Sequence, residues 1–140
     1  MVELDHSFST GKPADYNLDA VLDLDRIIPC VEGGKVLERE SEDLAKAEIK
    51  VKMGAMSMTF KGTVEVASKD GSSAVLRVKS KDTGGSGYAN ADVRFDVNDG
   101  GGTIHTQAKI SGKAASMGEG VVATVLDALI KDFTTKLAAI

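Results

Sequence analysis

The residue types able to do chemistry are few in this chain, and they are scattered. His6, Cys30 and His105 are the potential metal ligands, but a metal site needs its ligands at compact, recognisable spacing. Their separation matches no such motif, and alternation along their segments turns His6 inward and His105 outward. Cys30 as a nucleophile would need a base beside it. The sequence places none, so it reads as a buried or half-exposed thiol. Asp92 and Asp96 alternate with Arg94 on one outer face, as Lys46, Glu48, Lys50 and Lys52 do on another. These are solvated sheet faces, and the inward faces of the later strands carry no carboxylate pair for general acid–base work. Gly84-Gly85-Ser86-Gly87 superficially matches a phosphate-cradling loop, whose mechanism requires a strand before it and a helix after it. Here a strand follows, so the glycines serve a sharp bend or leave room at a cavity mouth. Tyr16 and Tyr88 are the phenols that could meet a polar ligand head. The expectation is no catalytic residue and no metal site.

The elements that position these residues follow from periodicity. Val2, Leu4, His6 and Phe8 alternate with polar residues, which predicts a half-buried strand. Pro13 opens a short helix over 13–24, and Asp25 caps a second turn ending before Pro29. Six strands are then expected. Lys35 to Arg39 comes first, followed by the inward set Ala45, Ala47, Ile49, Val51 and Met53. The next carries Met56, Met58, Phe60, Gly62, Val64 and Val66 inward, and another Leu76 and Val78. The last two turn Ala89, Ala91, Val93, Phe95 and Val97, then Ile104, Thr106, Ala108 and Ile110, to the same side. Asp70-Gly71 and Asn98-Asp99-Gly100-Gly101-Gly102 supply turns. Residues 114–140 place Val122, Val125, Leu126, Leu129, Phe133, Leu137 and Ile140 on one stripe of a long helix. Short connections make the sheet antiparallel, and the single striped helix is what covers its apolar face. The fold class is α+β: a seven-stranded curved antiparallel sheet wrapped around a long C-terminal helix, with two short helices after the first strand.

Composition narrows the partners. At 140 residues, one domain spanning 1–140 is expected. A net charge of −4 with singly scattered lysines excludes nucleic acid as a partner. The single cysteine fits a reducing compartment. The acidic, alternating N-terminus is no signal peptide, and no apolar run reaches the ~18–20 residues of a membrane span. A cytoplasmic location is expected.

Several stretches, taken in order, carry a resemblance. They are Glu3-Leu4-Asp5-His6-Ser7-Phe8, Ile28-Pro29-Cys30-Val31-Glu32-Gly33, Thr59-Phe60-Lys61-Gly62, Gly84-Gly85-Ser86-Gly87-Tyr88-Ala89-Asn90-Ala91 and Ile110-Ser111-Gly112-Lys113-Ala114-Ala115-Ser116-Met117-Gly118. Together they resemble the carbon monoxide dehydrogenase G-subunit (CoxG) family, within the START-like (helix-grip, birch-pollen-allergen-like) superfamily. The resemblance implies a hydrophobic cavity between helix and sheet. It also implies association with a molybdenum-containing, CO dehydrogenase-like hydroxylase as a quinone-binding, membrane-recruiting or maturation accessory. Longer family members continue into a tail that can attach to membrane, whereas this chain stops at Ile140. Membrane recruitment is therefore not carried over, while the cavity is unaffected.

The residues bear on a cavity independently. Ala45, Ala47, Gly62, Ala89, Ala91 and Ala108 are small side chains on the face turned to the helix. Native interiors tolerate few voids, so such a set means close packing or ligand space. Met53, Met56, Met58 and Met117 are flexible enough to adapt to a guest. The expected walls are Ile28, Met53, Met56, Met58, Phe60, Ala89, Val122, Leu126 and Leu129, with Tyr88 as the polar contact. The expected guest is an apolar small molecule, a non-covalent quinone or isoprenoid, with no covalently bound cofactor and no enzymatic activity. One alternative is an assembly or maturation factor acting by protein contact, which needs a filled core and an exposed apolar patch. The other is a START-like cyclase or hydrolase, which needs a titratable group in the cavity; His6 is the inward candidate.

Overall fold

Aliphatic residues alternating with charges form strands wherever the pattern lasts, and glycine, aspartate and asparagine break them. The structure, a computed structural model, describes residues 1–53, 55–85 and 87–140, the Met53 side chain excepted. Its order is β1 (Val2–Ser9), α1 (Ala14–Leu22), α2 (Leu24–Ile27), a 3-10 turn (Ile28–Cys30), β2 (Gly34–Ser41), β3 (Leu44–Met53), β4 (Met56–Lys69), β5 (Ser73–Asp82), β6 (Tyr88–Asn98), β7 (Gly101–Ile110), a second 3-10 turn (Ala115–Met117) and α3 (Glu119–Leu137). The strands form one seven-stranded sheet in the order β1-β7-β6-β5-β4-β3-β2. Every pairing is antiparallel. α1 and α2 carry the chain from one edge strand, β1, to the other, β2. The arrangement is consistent with a helix-grip fold.

Four boundaries differ from the sequence reading. The first short helix, expected over 13–24, ends at Leu22, and α2 begins at Leu24. The second short helix is capped by Asp23, whose carboxylate accepts the Asp25 N–H at 3.2 Å, rather than by Asp25. The long helix does not run from residue 114. Gly118 takes a left-handed φ of +97°, open to glycine and hard for other residues, and separates the 3-10 turn from α3. The glycine run after Asn98 is turn only through Gly100. Gly101 and Gly102 already belong to β7, where Gly102 pairs with Phe8 and leaves room for its ring.

The core is divided. At one end Phe95 stacks edge-on to Phe8 (6.5 Å, 74°) and tilted against Phe133 of α3 (6.2 Å, 59°), within a cluster that takes in Val21, Leu24 and Leu137. At the other end Val122 of α3 packs with Val2, Val51, Met58, Phe60 and Ala114. Between the two, Val125, Leu126, Leu129 and Ile130 are only half-buried.

Polar contacts fix the helix over the sheet. His6 Nε2 lies 2.7 Å from Asp127 Oδ1, and Lys131 Nζ is 2.9 Å from the other carboxylate oxygen. Tyr16 donates its hydroxyl to the Ile140 carbonyl at 2.7 Å and accepts from Arg26 at 3.1 Å. Asn17, 1% exposed, donates to the carbonyls of Lys12 and Asn98 and accepts from Thr10. It locks α1 onto the β6–β7 turn.

Two outcomes follow from these contacts. Gly62 of β4 lies opposite Ser80 of β5, and a Cβ there would run into the Lys79 carbonyl and stand 2.6 Å from Ser80 Cα. Gly62→Ala is expected to lower unfolding free energy by about 1–3 kcal/mol in denaturant melts, as overpacking does. The Asp127 carboxyl is held below its usual range by hydrogen bonds from Lys131 first and His6 second. With the folded pKa below the unfolded one, this contribution is complete above the ordinary carboxylate value of about 3.9 and is lost as pH falls through the folded value. Asp127→Asn should therefore lower the Tm near neutral pH. The gap from the unmodified protein should close on acidification below about pH 4, and a gap independent of pH would contradict the assignment.

Candidate functional site

The face of the sheet toward α3 is built from alternate residues, and on the central strands many of these are small. Ala47 on β3, Gly62 on β4, Ala89 and Ala91 on β6 and Ala108 on β7 all line a single space. Ala91 and Ala108 are register partners, and Ala91 also pairs with Val78 of β5. The sheet floor is therefore low where these residues meet. α3 cannot follow it down, because the Phe95–Phe133 contact and the Val122 cluster hold the helix at its two ends. The result is a cavity of about 260 Å³ between helix and sheet. Ile27, Ile28, Val31 and Gly34 lie at one end of it, and Ile110, Ala114 and Val122 contribute to its wall from the segments flanking the second 3-10 turn.

Of the residues expected from sequence to form the wall, Ile28, Phe60, Ala89, Val122, Leu126 and Leu129 line this space. Met56 and Met58 do not. β4 begins beyond the cavity, so Met58, 6% exposed, packs into the cluster that closes the end, with Met56 against it. Tyr88 also lies outside the wall. It starts β6, and its backbone is engaged with Ser111, whose hydroxyl accepts the Tyr88 N–H and whose own N–H bonds the Tyr88 carbonyl. The Met53 side chain lies outside the described residues. Sequence reasoning missed Val125, Ile130 and Phe133 as wall residues; Val125 and Phe133 sit on the α3 stripe and could have been taken from it, whereas Ile130 was not read as part of the stripe. Ile27, Val31 and Gly34 carried no signal, because the turn that brings them over the sheet end is tertiary.

The wall is apolar with few exceptions. Ser80 and Thr106 are its buried hydroxyls, and the Ser80 hydroxyl is spent on the Ala89 carbonyl at 2.6 Å. Glu48 is the single ionisable residue in the wall among those described, and Lys61, its register partner, stands 3.7 Å from the carboxylate. His6 faces α3 and is bound to Asp127 rather than set in the wall. His105, on the opposite face, bonds Asp5 at 2.6 Å. Cys30 is half-buried next to the Ile28 end. Its thiol donates to the Arg26 carbonyl at 3.3 Å, and burial pushes its pKa up, away from the reactive thiolate. Among the described residues, no three His, Cys, Asp or Glu side chains are grouped to hold a metal ion. No described helix is long and apolar enough to cross a membrane. The Gly84–Gly87 stretch joins β5 to β6, with Gly84 N–H on the Asp82 carboxylate and Asp82 N–H on the Gly87 carbonyl; Ser86 lies outside the described residues.

Comparison with known proteins now bears on this geometry. A crystal structure of a conserved protein from Geobacillus kaustophilus superposes with a TM-score of 0.75 at 24% identity, covering 97% of this chain and 90% of that one. A protein from Thermus thermophilus gives a TM-score of 0.62 at 9% identity, with 97% of each chain covered. The Zhui aromatase/cyclase from a Streptomyces species gives 0.58 at 14% identity, over 98% of this chain and 91% of that one. At these identities the likeness is one of fold. No curated protein matches the sequence. The model of the carbon monoxide dehydrogenase G-subunit (CoxG) family matches residues 7–139, and the chain belongs to that family.

Proposed function

We propose that this protein is a non-enzymatic binding protein that holds an apolar small molecule, of the quinone or isoprenoid class, between α3 and the sheet. It would serve as an accessory of a CO dehydrogenase-like molybdenum hydroxylase. The observation that carries the ligand part is the cavity itself, about 260 Å³ with an aliphatic and alanine-rich wall. That is near the lower end of small-molecule sites, which run from roughly 300 Å³ upward. It suits one ring system or a stretch of prenyl chain rather than a whole long-tailed lipid. The partner part rests on membership of the CoxG family.

The non-enzymatic part is supported by the wall chemistry. Acid–base or nucleophilic catalysis needs a titratable group within hydrogen-bond reach of the reacting atom. The one ionisable wall residue among those described, Glu48, is already next to a lysine. The aromatase/cyclase likeness is one of fold, and the same fold hosts different chemistries.

Native mass spectrometry of the protein purified from its own organism, followed by solvent extraction, tests the reading. A co-purifying quinone or isoprenoid is the expected result. A ligand-free mass together with failure to take up added menaquinone would count against it, and would turn attention to assembly by protein contact. Ala91→Phe places a ring in the space where Ala91, Ala108 and Val78 meet. It is expected to leave the thermal midpoint unchanged or higher and to weaken uptake at least tenfold, because it fills a void rather than overpacking a full core. Equal uptake by this variant would place the ligand elsewhere.

A further inference from the structure

The outer face of the sheet, turned away from α3, has its charges sorted along the strands. Lysines that stand singly in the sequence are gathered there by the register. Glu48, Lys61, Lys81 and Tyr88 form one row across β3 to β6. Thr63, Lys79, Asn90 and Lys109 form the next, across β4 to β7. Lys50 and Lys52 continue the patch along β3, opposite Thr59 and Ser57. All these lysines are exposed. Glu48 is the one acid among them, 3.7 Å from Lys61. Lys50, Lys52, Lys79, Lys81 and Lys109 form no ion pair among the described residues.

Lys61 and Lys81 are direct register partners, an arrangement that sets like charges side by side at a cost in stability. The adjoining half of the face is built differently. There Arg77 lies 2.9 Å from Asp92 and 4.0 Å from Glu65, Arg94 bonds Asp96, and His105 bonds Asp5. One half of the face is thus paired within the fold, and the other is left positive in a chain of net charge −4. Strands stand roughly 4.8 Å apart and screening takes about 10 Å at 0.1 M salt, so these lysines act on a partner together.

The make-up of the patch identifies that partner. Protein interfaces are depleted in lysine and centre on aromatic, methionine or arginine anchors. Between these lysines stand Ser57, Thr59, Thr63 and Asn90, with Tyr88 at the border, so the patch has no apolar centre. Single-stranded nucleic acid needs successive stacking aromatics, and one tyrosine does not supply them. A diffuse lysine field suits an anionic bilayer, where each lysine near the surface adds attraction and no pocket is required. The field also lies behind the Val122 cluster, at the end of the cavity walled by Ile110, Ala114 and Val122. An apolar guest of the class proposed above partitions into lipid, so a lipid surface is where this protein would meet it.

We infer that the lysine half of the outer sheet face, centred on Lys79 and Lys81, docks this protein on an anionic lipid surface. The docking uses the sheet itself and needs no C-terminal tail. The choice of lipid leans on the apolar-guest reading, but vesicle binding is measured without a guest, so either idea can fail alone.

Co-sedimentation of the full chain with phosphatidylcholine vesicles, with and without about 30% phosphatidylglycerol, reads the docking. Binding to the anionic vesicles should exceed that to phosphatidylcholine about tenfold at low salt and vanish near about 0.5 M salt. Lys79→Gln/Lys81→Gln should weaken it about tenfold or more. Its Tm should be no lower than that of the unmodified protein, because Lys81→Gln relieves the repulsion with Lys61. Lys69→Gln/Lys136→Gln removes the same charge from lysines already paired with Asp43 and Asp132, and should bind as the unmodified protein does. Equal weakening by both pairs would show attraction by overall charge and overturn the assignment. Indifference of the unmodified protein to anionic lipid would overturn it too. Retention on poly-L-glutamate that Lys79→Gln/Lys81→Gln abolishes, without vesicle binding, would give the face to an acidic protein instead.

Discussion

One constraint underlies the rest of this structure: a single helix must cover the apolar face of a seven-stranded sheet. A helix with its side chains is about 10–12 Å across, while seven strands spaced at roughly 4.8 Å span far more. α3 therefore cannot touch every strand. It makes firm contact where bulk rises to meet it, through Phe133 on Phe95 at one end and Val122 among Val51, Met58 and Phe60 at the other. Between those supports the sheet presents Ala47, Gly62, Ala89, Ala91 and Ala108, and nothing long enough reaches across. The space is thus a consequence of which positions are large, not of a missing element. α1 and α2 relieve the same problem at one end by folding Val21, Leu24 and Ile27 into the aromatic cluster.

A helix supported mainly at its ends needs something to set its rotation. The His6–Asp127–Lys131 contact acts near the middle of α3, from the edge strand β1. Leu126 precedes Asp127 and Leu129 follows it by two residues, so holding the carboxylate over β1 turns those leucines toward the sheet. Tyr16 performs the same service at the C-terminal end by bonding the Ile140 carbonyl, with Lys12 and Arg26 over its ring. The chain's two candidate ligand-facing phenols and its inward histidine are thereby explained differently from one another. Tyr16 is a clamp, Tyr88 begins a strand, and His6 holds α3 through one ring nitrogen.

How much of this was legible in the sequence depends on whether a feature is periodic. Strand faces follow directly from alternation, so the inward positions of β1, β3, β4, β6 and β7 can be read without a structure, and so can the α3 stripe. Position along a strand is another matter. Met58 and Phe60 lie on the same face two residues apart, yet Phe60 lines the cavity and Met58 closes its end. That distinction depends on where α3 begins, which is set by Gly118 adopting φ +97°, and a glycine in sequence does not announce its φ. The Asn17 knot was invisible for a related reason. Its partners are backbone carbonyls of Lys12 and Asn98, and backbone acceptors carry no residue-specific signature. Alternation marks Thr106 as an inward strand residue and no more. That its hydroxyl has no partner among the described residues is visible only once Leu4, Val93, Ile104 and Ala108 are known to be its neighbours in the register.

The alanine-rich wall also carries an energetic consequence. Side chains that border an unfilled space lack contact partners on that side and lose those dispersion contacts. Valine, isoleucine and leucine occur at neighbouring positions of the same strands, as at Val51, Val93, Ile104 and Leu76, so the chain is not short of bulky residues. They are placed around the space rather than in it. A guest that restores the lost dispersion contacts would stabilise the folded chain by mass action, and the part of its affinity that comes from shape would be drawn from the deficit the alanines create. The polar remainder is small, because the wall is almost wholly apolar and the Ser80 hydroxyl is already committed to the Ala89 carbonyl.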